Sequence, residues 1–249
     1  MSELRPTYAF VANVEHRLKS AAALLGVSEN TLRTTLAESG IEVRRANHDN
    51  PSAPAVRLFD LPTIFQIADY RRSKKLTKGP EGKKPIVIAI EIIKGGTGKT
   101  TTAAEVAVQL QLQGLKVLGI DIDIQANFTQ LMGYEADLTD DEAASYGLTT
   151  EAIVDGTFAT ICGPFIERNG RPVDATKIIK YPFGPCGPAI IPADTFFSDL
   201  EHDISKSGGK RELVFQKFFK ESIAGNVPGL NVADFDVVLF DCPPNISFV

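Results

Sequence analysis

The sequence predicts an α/β fold: a mostly parallel sheet covered by helices on both faces, preceded by a small, mostly helical unit. Three observations carry that prediction. Apolar, β-branched runs recur in the later part of the chain, helical segments separate them, and the composition changes abruptly at residues 71–85.

The elements follow in order. Leu18–Leu25 reads as a short amphipathic helix, Gly26-Val27-Ser28 as a turn, and Ser28–Ser39 as a second helix capped by Ser28 and closed by Gly40. IEVRR (Ile41–Arg45) and AVRLF (Ala55–Phe59) flank a polar, proline-containing loop and read as a hairpin wing; Pro62–Arg72 is helical again. RRSKKLTKGPEGKKP, residues 71–85, lacks apolar periodicity and reads as linker. The expected organisation is therefore a unit at 1–72, a linker at 73–85 and a body at 86–249. In the body, Ile86–Ile93 is a continuous β-branched run of the kind buried on both faces of a parallel sheet. A helix from Thr100 to about Gln113, closed by Gly114, leads to a second buried strand, Leu115–Asp123, completing a βαβ unit. Strands at Ala189–Ile191 and Asp236–Asp241 and helices at Phe196–Ile204 and Arg211–Ile223 continue the alternation. Residues 135–187 show little pattern beyond a helix start at Thr149–Val154 and a Gly/Pro-rich loop at 181–188.

With 249 residues, 43% hydrophobic and 23% charged, the composition is that of a soluble globular chain. No apolar run approaches the roughly 20 residues of a membrane span, and the N-terminus lacks the pattern of a secretory signal. Cys162, Cys186 and Cys242 have no metal-ligand spacing and read as reduced thiols of a cytosolic protein. The net charge of −5 divides unevenly, as +5 over residues 1–84 and −10 over 85–249. A basic N-terminal part, linker included, on an acidic body fits a polyanionic partner, and equally a solvated basic face.

The chemistry concentrates in three places. The strand Ile86–Ile93 runs into Lys94-Gly95-Gly96-Thr97-Gly98-Lys99-Thr100-Thr101 and then a helix. Glycines let backbone N–H groups turn inward onto phosphate oxygens, and the helix N-terminus adds partial positive charge. Lys99 is placed to reach β- and γ-phosphates and the Thr100 hydroxyl to coordinate Mg²⁺. This is a P-loop, although the strict pattern has Gly where this chain has Ile93. The second strand ends in Asp121 and Asp123, aimed at the crevice where α/β sheets bind ligands. Such carboxylates suit orientation of a metal or an attacking water. The last strand, VVLFDCPPN (237–245), ends in a lone Asp241 suited to holding Mg²⁺.

KGGTGKTT resembles the deviant Walker A of the ParA/MinD family, with Lys94 as its additional lysine. Asp121-Ile122-Asp123-Ile124-Gln125-Ala126-Asn127 is similar to the family's DxDPQ(G/A)N, with Ile124 in place of proline; DCPPN is similar to its DxPP segment, and IIPADTFFSDLEHDI (190–204) to the stretch after its third strand. The resemblance covers nearly all of 86–249. It implies a P-loop NTPase using ATP and Mg²⁺, with Lys94, Gly95, Gly96, Thr97, Gly98, Lys99, Thr100 and Thr101 on the nucleotide. It further implies catalytic roles for Lys94, Lys99 and Asp123, with Lys94 reaching into the partner of an ATP-dependent homodimer, and a metal shell of Thr100, Asp241 and Asp121. A ParB-like partner, slow hydrolysis stimulated by partner and DNA, and a cytoplasmic, nucleoid-associated setting without a membrane follow from the same resemblance. ParA proteins continue well past this point, so the chain reads as truncated after Val249.

The N-terminal string AAALLGVSENTLR…IEVRR…VRLFDLPTIFQIADYRR is similar to MerR-type winged helix-turn-helix domains. That places Asn30, Thr31, Arg33 and Thr34 towards base edges or phosphates, and Arg44, Arg45 and Arg57 towards the backbone of operator DNA. A helical oligomerisation domain with a basic face is the alternative. For the whole chain, the resemblance implies a plasmid- or chromosome-partition ATPase that binds operator and non-specific DNA and represses its own operon. A nucleotide-responsive repressor and a MinD-like positioning ATPase are the alternatives. His16, His48 and His202 have no visible role.

Overall fold

The computed structural model describes residues 14–46, 54–79, 84–92, 94, 96–166, 171–194 and 212–244. His48, Ile93, Gly95 and the expected helix at Phe196–Ile204 lie outside them.

In the N-terminal unit, β1 (His16–Arg17) leads directly into α1 (Leu18–Leu24). A turn through Gly26 connects to α2 (Glu29–Ser39), whose N-cap Ser28 accepts from the Thr31 amide at 3.1 Å. Gly40 ends the helix at φ 68°, a left-handed position that glycine adopts without strain. β2 (Arg44–Ala46) and β3 (Val56–Phe59) form an antiparallel pair, with β2 starting at Arg44 rather than at the expected Ile41, and β1 joins it as an unanticipated third strand in the order β1-β3-β2. α3 (Leu61–Ser73) starts on Asp60, which caps the Thr63 amide, and buries Leu61, Ile64, Phe65, Ile67 and Ala68.

The body is a parallel four-stranded sheet in the order β4-β7-β5-β6, formed by β4 (Ile86–Ile90), β5 (Val117–Asp121), β6 (Ala189–Ile191) and β7 (Val237–Asp241). Strand alternation divides the core between two faces. Val117, Ile190, Val237 and Leu239 pack towards α4 (Lys99–Leu112) and the N-terminal unit. Leu118, Ile120, Ile191, Val238 and Phe240 pack instead on the side of α7 (Phe158–Ile166) and α8 (Glu212–Ile223). There Phe158 meets Phe218 edge-on at 5.1 Å between ring centroids. Between these lie α5 (Asn127–Leu131), α6 (Asp140–Ser145) and a 3₁₀ turn at Thr150–Ala152.

One expectation is corrected. β4 is not buried on both faces: Ile86 is 51% and Val87 52% exposed. Among the described residues β4 pairs only with β7, so it is the sheet's edge, and its apolar run lies partly open.

The linker does not hold the two parts at a distance. α3 packs against α4, and one continuous apolar cluster includes Leu25, Leu32, Phe59 and Phe65 from the N-terminal unit with Ala103, Ala107 and Leu112 from α4. The Phe65 and Phe183 ring centroids lie 5.5 Å apart, the Gln113 side-chain Nε2 donates to the Leu24 carbonyl at 3.4 Å, and Arg72 pairs with Asp236 at 2.8 Å. Gly114, at φ 86°, has no room for a side chain because a Cβ would lie 2.9 Å from Thr77 of the linker.

Candidate nucleotide site

The candidate site forms where the N-terminus of α4 meets the C-terminal ends of β5 and β7. Registry fixes the geometry there: Asp121 and Asp241 are direct partners on neighbouring strands, with Ile90 beside Asp241 on β4. The loop before α4 exposes Lys94, Gly96, Thr97 and Gly98. Gly96 and Gly98 have φ 72° and 79°, and nothing lies within 4 Å of a Cβ built on either. Glycine is needed there for its backbone conformation rather than for lack of space. The Thr97 hydroxyl donates to the Lys94 carbonyl at 3.0 Å, closing the turn. The Thr102 amide and hydroxyl both donate to the Gly98 carbonyl, which starts the helix. Thr100 is half-buried and Thr101 exposed on its first turn.

Lys99, only 8% exposed, reaches inward between two carboxylates, with its Nζ 3.4 Å from Asp123 Oδ2 and 3.7 Å from Asp241 Oδ1. Asp123 Oδ1 accepts from the Gln125 amide at 3.0 Å. Asp241 is different: neither buried carboxylate oxygen has a hydrogen-bond partner. Lys99 pairs with it at 3.7 Å but leaves both oxygens without a hydrogen bond, and a hard divalent cation suits such a donor. Burial pushes the Asp241 carboxyl above its ordinary range, with the Lys99 charge pulling it back down. Among the described residues no group of three or more His, Cys, Asp and Glu side chains could hold a metal by itself. A cation at Asp241 would thus have to complete its shell from elsewhere, as Mg²⁺ does with phosphate oxygens.

Asp121 is fully buried and its oxygens are committed within the protein. Oδ2 accepts from the Thr129 amide at 2.9 Å and hydroxyl at 2.8 Å, and Oδ1 from the Asp123 amide at 3.1 Å. Burial nevertheless pushes its carboxyl up to about 7, against the pull of these donors. The sequence reading missed Thr129, which follows the acidic motif without belonging to it.

In the N-terminal unit, Asn30, Thr31, Arg33 and Thr34 are all exposed on α2, while Leu32, Thr35 and Leu36 face inward. The Thr31 hydroxyl meets Ser28 Oγ at 2.8 Å, the Thr34 hydroxyl donates to the Asn30 carbonyl, and Arg33 pairs with Glu29 at 3.6 Å. Arg44 is held by Glu15 in a two-pronged ion pair, and Arg45 and Arg57 are direct cross-strand partners. Two like charges in register repel each other, an arrangement a bound anion would relieve.

Strand, glycine loop and helix, set beside the acidic ends of two neighbouring strands, define a P-loop NTPase of the α/β class. The AAA domain family (AAA_31) matches residues 85–249, and the chain belongs to that family. The chain is 29% identical over 238 residues to a protein of Rhizobium rhizogenes that bears the name replication protein A, covering 92% of this chain and 52% of that one. It is 30% identical over 161 residues to the chromosome partitioning protein ParA of Caulobacter vibrioides, covering 65% of this chain and 49% of that one. Among solved structures it is similar to cobyrinic acid a,c-diamide synthase from Mycobacterium smegmatis with bound ADP and magnesium, at 24% identity and TM-score 0.47, covering 65% and 52% of the two chains. A second similarity is to a structure described as a partition protein, at 16% identity and TM-score 0.49, covering 92% and 58%. The chain spans about half the length of the curated relatives it matches. Among the described residues no helix is long and apolar enough to cross a membrane.

Proposed function

We propose that the protein is a ParA-type ATPase of plasmid or chromosome partition. The observation that carries the reading is the convergence of Lys99, Asp123 and Asp241 behind a left-handed glycine loop at the head of α4. Relatives named for partition and for replication support it.

In this reading the amides of 95–101 and the Lys99 ammonium hold the triphosphate of ATP, with Lys99 exchanging carboxylate partners for phosphate oxygens. Thr100 and Asp241 hold Mg²⁺, and the orphaned Asp241 oxygens fit that part. Bound Mg²⁺ supplies neutralisation of phosphate charge. Asp123 orients the attacking water. Asp121, already bonded on both oxygens, supports the metal shell from behind. Lys94, exposed at the loop's start, reaches the nucleotide of a second copy in an ATP-dependent homodimer. Loss of the γ-phosphate would release that dimer, making it the switch.

The N-terminal unit, residues 1–72, is a winged helix-turn-helix joined by the linker 73–85. The exposed face of α2 reads operator DNA, and Arg45 and Arg57 contact its backbone, with Arg44 joining once released from Glu15. Operator binding represses the protein's own operon. A ParB-like partner and non-specific DNA raise turnover, and the protein acts in the cytoplasm on the nucleoid.

The test is ATP hydrolysis by the intact protein as its gene encodes it, with and without DNA and partner, beside Lys94→Ala and Asp123→Ala. Slow turnover raised by DNA and partner, and reduced by about 100-fold or more in Asp123→Ala, is the expected result. Turnover unaffected by either variant would remove the mechanism. A protein that binds ATP and operator but never hydrolyses is instead a nucleotide-responsive repressor.

A further inference from the structure

We propose that Thr129 is a positioning residue of the hydrolytic site, acting through Asp121 to fix the backbone that carries Asp123. The inference rests on the ATPase reading above.

Thr129 is fully buried on α5, and its amide and hydroxyl together make three hydrogen bonds. Its amide and its hydroxyl both donate to Asp121 Oδ2, and the hydroxyl oxygen accepts from the Ala193 amide, just past β6, at 3.0 Å. Asp121 Oδ1 in turn accepts from the Asp123 amide. The result is a buried relay running from the segment after β6, through Thr129 and Asp121, to the peptide that places the Asp123 carboxylate beside Lys99. A hydroxyl has one proton to donate and lone pairs to accept, so Thr129 is committed in both capacities. Gln125 ties down the Asp123 side chain from the other side, and the Ile122 amide donates to the Asp241 carbonyl. Asp123 is thereby fixed at the backbone through Thr129 and at the carboxylate through local bonds.

Packing alone would require only the shape of Thr129, whereas the relay requires its hydroxyl. Thr129→Val keeps the shape and removes the hydroxyl. It leaves the Ala193 amide buried without its acceptor and leaves Asp121 Oδ2 with the Thr129 amide as its one remaining donor, which loosens the relay. Thr129→Ser keeps the hydroxyl and removes the methyl. Neither change touches Lys99 or the glycine loop, so nucleotide affinity is retained while the geometry of the attacked bond is lost. Small misplacements of a water-orienting group cost on the order of 10- to 100-fold in rate.

The experiment measures kcat and KM for MgATP in the intact protein, with folded fraction from circular dichroism and affinity from a fluorescent ATP analogue. Thr129→Val should lose at least about 10-fold in kcat with KM and analogue affinity within about 3-fold of the parent, and Thr129→Ser should keep kcat within about 3-fold. A folded Thr129→Val with parental kcat overturns the inference. So does a folded Thr129→Ser that loses about 10-fold or more in kcat, because the methyl would then be the working part; this arm holds even where Thr129→Val does not fold. A parent protein without turnover overturns the ATPase reading, and this inference with it. A hydrolysing parent with an unaffected Thr129→Val overturns this inference alone.

Discussion

Gly119, in the middle of β5, offers a test of how α5 is seated over the sheet. A Cβ built on Gly119 would lie 2.7 Å from Phe128 Cζ, 3.0 Å from its Cε1 and 3.6 Å from Ile190 Cγ2. Ordinary carbon contacts are about 3.5–4.0 Å, so Gly119→Ala asks the ring to retreat by roughly 1 Å. Phe128 is fully buried and precedes Thr129 on a five-residue helix, so it has little freedom to do so. Overpacking of this kind costs about 1–3 kcal/mol. A value of about 2 kcal/mol corresponds to a fall of roughly 4–8 °C in Tm for a domain of this size. Urea denaturation of the parent, Gly119→Ala, Phe128→Leu and the double variant closes a thermodynamic cycle. Because the smaller side chain makes room for the new methyl, the double variant should be more stable than the sum of the single changes by about 1 kcal/mol or more. Additive effects, or a Gly119→Ala within about 0.5 kcal/mol of the parent, would refute the steric argument.

Two further outcomes follow from the same geometry. Asp121 holds its proton up to about pH 7, against an ordinary value of 3.8, so between these limits the folded protein binds a proton that the unfolded chain has released. Its contribution to stability is therefore present at the acid end and lost as pH rises through 7. The stability difference between the parent and Asp121→Asn, from urea melts at pH 5.5 and 8, should shift against the parent at the higher pH, and a difference flat with pH would contradict this. At the base of the sheet, Asp236 serves both Arg72 and the Lys116 amide, each at 2.8 Å. Arg72→Ala should cost about 1 kcal/mol, and Asp236→Ala about 1 kcal/mol more because it also strands a backbone donor, as read by chemical denaturation; equal costs would count against the dual role.

The strands and the phosphate loop were the most legible features, because both depend on short-range pattern. Ala189–Ile191 falls where its apolar run lies, and β5 and β7 are the cores of the runs read for them. Helix ends were legible wherever a side chain or a left-handed glycine made them, as at Ser28 and Gly40. The β4 run misled because apolarity records what a strand is able to bury, not how many neighbours cover it. Residues 135–187 held a usable signal: Thr139 and Glu142 form a capping box at the start of α6, a Thr-x-x-Glu pattern that was overlooked. At the site, Lys99, Asp123 and Asp241 could be named because motif spacing carries them. Thr129, Arg72 and Asp236 could not, because their partners are distant in sequence. Thr129 meets Ala193 across 64 residues, and no local period encodes such a contact.

The positive charge of residues 1–84 lies mostly in the linker, since residues 1–72 carry 9 Lys+Arg and 8 Asp+Glu, a net of +1. Arg72 is matched by Asp236 of the acidic body, whereas Arg44–Glu15 and Arg33–Glu29 pair within residues 1–84 and leave that net charge unchanged. The Arg72–Asp236 pair contributes to the docking of the two parts. Docking in turn determines what α4 can do. Its first residue, Lys99, contacts both acidic strand ends, while Ala103, Ala107 and Leu112 belong to the same apolar cluster as Leu32 of α2 and Phe65 of α3. Domains joined through a small polar interface move independently by default, but a shared apolar core removes that freedom. A displacement of α4 at the phosphate loop must therefore carry α3 with it or open the cluster. In this chain the helix that begins at the nucleotide site is tied through α3 to α2, which carries the exposed face.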